Sequence, residues 1–181
     1  MIFSNREQAA RLLAEKLATY KGHNPLILAI PRGAVPMAKI VADALGGEFD
    51  VVLVRKLGAP GNPEFAIGAI DETGWAYLGP YAAMAGADSG YIERIKAQEL
   101  ATIRKRRAQY SPLHPPIDPQ GRIVIVIDDG LATGSTMLAA LHALRSRAPQ
   151  KLVCAVPVAP PDTLEKVGVK SDEVVCLHAP E

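Results

Sequence analysis

The stretch Ile123 to Met137, IVIVIDDGLATGSTM, constrains the fold more tightly than any other part of the chain. Ile123 to Ile127 form an unbroken apolar, β-branched run, which suits a strand buried on both faces of a parallel sheet. Asp128 and Asp129 interrupt that run where the strand has to end. A loop of small and hydroxylated residues follows (Gly130, Thr133, Gly134, Ser135, Thr136), and then Met137, Leu138, Leu141 and Leu144 open an apolar helical stripe. Strand, acidic pair, small-residue loop and helix N-terminus are the parts of an α/β crossover.

Those parts also make a site for a sugar phosphate. The first N–H groups of a helix lack intrahelical partners, and the helix dipole adds partial positive charge at the same place. Small residues let the backbone curl so that several N–H groups converge on one anion, which holds a phosphate without any cationic side chain. Thr133, Ser135 and Thr136 can add hydroxyl donors. Asp128 and Asp129 would repel phosphate, but as acceptors they suit a ribose diol a few ångströms away. As plain structure, the two aspartates would do no more than end a strand and cap the next helix. The Walker pattern is absent, because no lysine follows Gly134.

DDGLATGST resembles the phosphoribosyl-pyrophosphate (PRPP) motif of type I phosphoribosyltransferases. The resemblance implies that Asp128 and Asp129 hold the ribose hydroxyls and that Leu131, Ala132, Thr133, Gly134, Ser135 and Thr136 hold the 5′-phosphate. It also implies Mg²⁺ as cofactor, carried by PRPP, with no direct protein ligand beyond water-mediated contact to Asp128 and Asp129. Two further segments are similar to the family. Pro25 to Ile30 (PLILAI) reads as a strand running into Pro31-Arg32-Gly33, which resembles the pyrophosphate loop. Arg32 offers a planar fork of donors and Gly33 a close backbone approach. Ala34 stands where many relatives have a second glycine, and the resemblance implies a cis or distorted Pro31–Arg32 peptide. Val51 to Val54 reads as another strand, with Arg55 and Lys56 at its end. That element resembles the Arg-Lys-x-Gly of adenine phosphoribosyltransferases and a group of bacterial proteins assigned to the transferases by family alone. Arg55 and Lys56 are thereby assigned a catalytic role, assisting pyrophosphate departure. Gly58 to Asn62 is expected to be a mobile lid.

The rest of the chain fits a single domain over residues 1–181. A net charge of +1 gives no general attraction to nucleic acid or to an anionic membrane. The basic run Arg104 to Arg107 lies in the last turn of an expected helix, where it complements the dipole. No long apolar stretch or leader pattern is present, which leads to the expectation of a soluble cytoplasmic protein. Cys154 and Cys176 lie in apolar runs as buried thiols, and the histidines lack zinc spacing. A capping box at Ser4 to Glu7 predicts the first helix, a helix from about Pro36 is stopped by Gly46-Gly47, and Phe65 to Ile70 with Trp75 to Leu78 predict a hairpin. Ser89 to Gln109 predicts a long polar helix. Lys151 to Val156 and Glu173 to Leu177 predict strands, with a short helix near Asp162 to Val167 between them.

The expected fold is therefore α/β: a doubly wound, mostly parallel sheet with flanking helices and a small hairpin/helix insertion. The resemblance implies phosphoribosyl transfer from PRPP to a small nitrogenous base, with no membrane or nucleic-acid partner and with room for a homodimer. A non-catalytic PRPP- or nucleotide-sensing module would use the same floor. Ala132 bears on the acceptor: 6-oxopurine transferases carry an aspartate there, whereas adenine-type enzymes carry alanine. Relatives continue beyond the last core strand, and the chain is expected to lack that C-terminal segment.

Overall fold

The computed structural model describes residues 5–31, 33–110, 116–131 and 134–180. They form two compact units, one from Met1–Val52 with Pro116–Glu181 and the other from Leu53–Pro115. The first unit is built on strands β1 (Leu26–Ala29), β2 (Glu48–Val51), β6 (Ile123–Ile127), β7 (Lys151–Val158) and β8 (Glu173–His178), with β3 to β5 in the second unit. Their order is β2-β1-β6-β7-β8, and every neighbouring pair is parallel. The motif strand β6 has the bounds that its apolar run predicts, and Val124 to Ile127 have no exposed surface.

The crossovers are helical. Helix α2 (Ala34–Leu45) joins β1 to β2, α4 (Ser135–Arg145) joins β6 to β7, and α5 (Pro161–Lys170) joins β7 to β8. Helix α1 (Arg6–Lys16) packs on α2 and against β7 and β8, while α4 packs on α5 and β7. The chain thus winds from β1 in one direction and from β6 in the other, with α1 and α2 in one helical layer and α4 and α5 in the second. Helix α1 buries Ala9, Ala10, Leu13 and Ala14, as its apolar spacing predicts. Its cap differs from the expectation: the N-cap is Asn5, whose Oδ1 accepts from the Gln8 N–H at 2.8 Å. Asparagine has one of the strongest N-cap preferences, so the start moves one residue beyond the predicted box. Helix α2 begins at Ala34, two residues ahead of Pro36, which fits comfortably in the first turn because its missing N–H has no partner there. It stops at Gly46-Gly47, where the Gly47 N–H returns to the Ala42 carbonyl at 2.9 Å.

One strand expectation fails. Val51 to Val54 is not a single strand: β2 ends at Val51, and Val54 already belongs to β3 (Val54–Ala59) in the second unit. Val52 and Leu53 between the two strands are buried as well, so hydrophobicity alone does not mark the change of sheet. What marks β2 is Asp50, only 3% exposed, which accepts from the Val51 N–H at 2.8 Å and the Ile117 N–H at 3.0 Å. The buried carboxylate ties this edge strand to the returning chain.

The second unit holds an antiparallel sheet of β3, β4 (Asn62–Asp71) and β5 (Ala76–Leu78), together with α3 (Ser89–Tyr110). This is the expected hairpin and helix insertion. The β4–β5 turn is organised by Asp71 Oδ1, which accepts from the Thr73 N–H at 2.9 Å and from the Trp75 N–H at 3.1 Å. Helix α3 is clamped to the sheet by Arg107, whose Nε and Nη2 donate to Glu72 at 2.9 and 2.6 Å, and by the buried Ile103. Among the described residues no helix is long and apolar enough to cross a membrane.

Asp50→Ala leaves two backbone donors without their charged acceptor. It is expected to lower the urea-unfolding stability by about 2–3 kcal/mol, in keeping with hydrogen bonds to charged groups. A midpoint unchanged at constant slope would show that water replaces the carboxylate without loss.

Candidate functional site

β1 and β6 are neighbours and their crossovers leave in opposite directions, the point in an open α/β sheet at which ligands bind outside the carboxyl ends of the strands. The register aligns Ala29 with Ile127, and the Ile30 N–H continues the ladder to the Ile127 carbonyl at 3.0 Å. The residues after each strand therefore meet: Pro31 and Gly33 from one side, and Asp128 and Asp129 from the other. The contact is close. A Cβ placed on Gly33 would lie 2.2 Å from Asp129 Oδ2, so only glycine leaves room for that carboxylate.

Two helices start at this end. Gly33 precedes α2 and Gly134 precedes α4, and among the described residues no side chain caps either N-terminus. Uncapped starts leave N–H donors and positive dipole ends available to anions. Gly134 is required twice over. Its φ of 77° is left-handed, and an added Cβ would lie 2.8 Å from Thr163 Cγ2 on α5. The loop is also pinned from behind by the Leu131 N–H, which donates to the Val158 carbonyl at 3.1 Å.

The acidic pair is electrostatically strained. Asp128 Oδ1 accepts from the Asp129 N–H at 2.8 Å, yet burial pushes the Asp128 carboxyl up to about 7, with the neighbouring Asp129 charge adding to the shift. Asp129 meets a cation: Arg6 Nη2 on the first turn of α1 donates to its Oδ2 at 2.9 Å. Half-buried, acidic and made of hard oxygens, the pair suits the hydroxyls of a sugar or the water shell of a hard divalent cation. It is too small to cage a metal by itself, and no larger group of ligating side chains gathers among the described residues.

The predicted site residues divide in three. Asp128, Asp129 and Gly33 are brought together, with Leu131, Gly134 and Thr136 in the adjoining loop and helix start. Arg32, Ala132, Thr133, the Ser135 side chain and the Pro31–Arg32 peptide lie outside the described residues. Arg55 and Lys56 do not end a core strand as expected. They lie within β3 of the second unit, where Arg55 Nε donates to Glu99 at 2.6 Å and Lys56 is exposed. The apolar run before them misled because it belongs partly to β2 and partly to β3. Gly58 to Asn62, the expected lid, forms the tip of the β3–β4 hairpin. Sequence reasoning missed Arg6. Its signal was a cation in the first turn of a helix, where the dipole favours anions.

A model of the phosphoribosyl transferase domain matches residues 2–178. The chain belongs to the phosphoribosyl transferase family. Two sequences from Mycobacterium tuberculosis, strains CDC 1551 and H37Rv, carry the description "Putative phosphoribosyl transferase" and are 37% identical over 180 residues. The match covers 99% of this chain but 41% of theirs, so the chain spans about two-fifths of the length of these curated relatives. The crystal structure of TT1426 from Thermus thermophilus superposes with a TM-score of 0.87 at 47% identity, covering 100% of this chain and 86% of that one. A hypoxanthine-guanine phosphoribosyltransferase from Bacillus anthracis shares the fold, with a TM-score of 0.54 at 13% identity over 97% of this chain and 79% of its own.

Gly134→Ala is expected to destabilise the family's loop in this chain by about 1–3 kcal/mol, from left-handed strain and displacement of Thr163. Thermal unfolding checks this, and a Gly134→Ala protein as stable as the parent would show that the turn relaxes freely.

Proposed function

We propose that this phosphoribosyl transferase family member moves a phosphoribosyl group from PRPP to a small nitrogenous base and releases pyrophosphate, its two units working as one domain. The observation that carries the reading is the convergence of two carboxylates and two uncapped helix starts at the switch between β1 and β6. A sugar bearing phosphates at both ends needs that combination: acceptors for its diol in the middle, and donors for an anion on each side. Asp128 and Asp129 accept from the ribose hydroxyls. The loop from Leu131 to Thr136 and the start of α4 hold the 5′-phosphate, while Arg32, Gly33 and the start of α2 receive the pyrophosphate. Arg55 and Lys56 assist its departure.

In the reaction the bond from the anomeric carbon to the pyrophosphate oxygen breaks, and a bond to the acceptor nitrogen forms. The chain's contribution is to position the ribose and to stabilise charge developing on the leaving group. Mg²⁺, arriving with PRPP and keeping most of its waters, would supply further charge neutralisation beside Asp128 and Asp129.

The state of Asp128 makes binding sensitive to pH. Its carboxyl is pushed up to about 7, so the charged acceptor is depleted as the pH falls below that value. Apparent affinity scales with the competent fraction, and PRPP binding should weaken by about fivefold between about pH 7 and about pH 6. Calorimetry over this range checks it. Asp128→Asn should flatten the profile, and Asp128→Asn and Asp129→Asn should each weaken binding roughly 10- to 150-fold at about pH 8. Unchanged affinity in a folded double mutant would remove the ribose assignment.

Pyrophosphate release measured with PRPP, Mg²⁺ and a panel of bases tests the reaction. Ala132 has no titratable group, so hypoxanthine and guanine should turn over slowly, by roughly the 10²–10⁴-fold typical of missing acid–base help, with adenine or an unusual acceptor preferred. Efficient turnover of a 6-oxopurine would overturn that preference. PRPP binding without release with any base would identify a sensing module.

A further inference from the structure

The ion pair between Arg6 and Asp129 is hard to explain as stabilisation. The Arg6 side chain is 64% exposed, and exposed pairs contribute little because water screens them and two side chains lose freedom. Its position also runs against the α1 dipole, since a cation beside unpaired N–H groups is disfavoured. The acidic residue in the same turn, Glu7, is engaged one turn further along by Arg11 at 2.5 Å. Nothing in helix formation calls for arginine at this position.

The geometry suggests another role. Arg6 Nη2 lies 2.9 Å from Asp129 Oδ2, and a Cβ built on Gly33 would lie 3.0 Å from the same nitrogen. The guanidinium therefore sits where the ribose carboxylate meets the turn that leads into α2. Asp129 Oδ2 faces Arg6, so a ribose hydroxyl that takes this oxygen competes with the pair. A displaced guanidinium beside Gly33 is within side-chain reach of the anion proposed to occupy that turn, and its planar fork matches phosphate oxygens.

We propose that Arg6 is a substrate-exchanged counter-ion: it holds Asp129 in the empty site and passes to the diphosphate of PRPP when the ribose diol takes Asp129. This rests on the PRPP reading above. The weakness of the exposed pair is then useful, because release costs little while the new contact joins a cation to a highly charged anion.

Calorimetry with PRPP and with ribose 5-phosphate, Mg²⁺ present, on the parent, Arg6→Gln and Arg6→Lys, tests the proposal. Arg6→Gln should weaken PRPP about tenfold or more, the loss expected for a charged hydrogen bond. It should leave ribose 5-phosphate unchanged or tighter, since that ligand has no diphosphate and Asp129 has lost its competitor. Arg6→Lys, which keeps the charge but not the fork, should fall between parent and Arg6→Gln. Equal losses for both ligands would indicate that Arg6 only shapes the site, and unchanged PRPP affinity would show that it never reaches the diphosphate. Either result overturns the proposal while leaving the PRPP reading intact. A parent protein that binds neither ligand overturns both.

Discussion

The parallel pairing of β1 with β6 is the interaction on which the site depends. It brings the Ala29 and Ile127 ends into register, and from it follow the meeting of Gly33 with Asp129 and the start of two helices at one crevice. The pairing is held by burial on both faces, with Leu26, Ile27, Ile125 and Ile127 fully enclosed. Fixing the strands this firmly allows the residues after them to be held in an arrangement that is unfavourable in itself.

That unfavourable arrangement is electrostatic. Two adjacent carboxylates, one of them raised to about 7 by burial, raise the free energy of the empty site. The backbone N–H of Asp129 and the guanidinium of Arg6 offset part of this, and donors from a sugar would offset more. The starts of α2 and α4 add N–H donors and positive dipole ends beside the pair.

The second unit is built differently. Its sheet is antiparallel, its turn at Asp71 to Trp75 is closed by side-chain hydrogen bonds, and α3 is attached through Arg107–Glu72 and Arg55–Glu99. Ion pairs partly shielded from solvent add here to an apolar core of Leu57, Ile67, Ile70 and Ile103. Arg55 therefore has a structural partner as well as a proposed chemical role.

Sequence alone was enough for β1, β6, β7 and β8, for the helices between them, and for the acidic pair at the end of β6, because these rest on local patterns. An unbroken β-branched run, a carboxylate that stops it and a glycine that permits a left-handed turn each act within a few residues. The end of β2 and the placement of Arg55 and Lys56 needed the tertiary structure, since Val51 to Val54 is uniformly apolar while the chain changes sheet within it, next to an Asp50 that accepts from the Ile117 N–H far away in the chain. Arg6 needed it most. Its meeting with Asp129 spans 123 positions, and no local pattern encodes a contact that depends on how α1 packs on α2 and against β7 and β8.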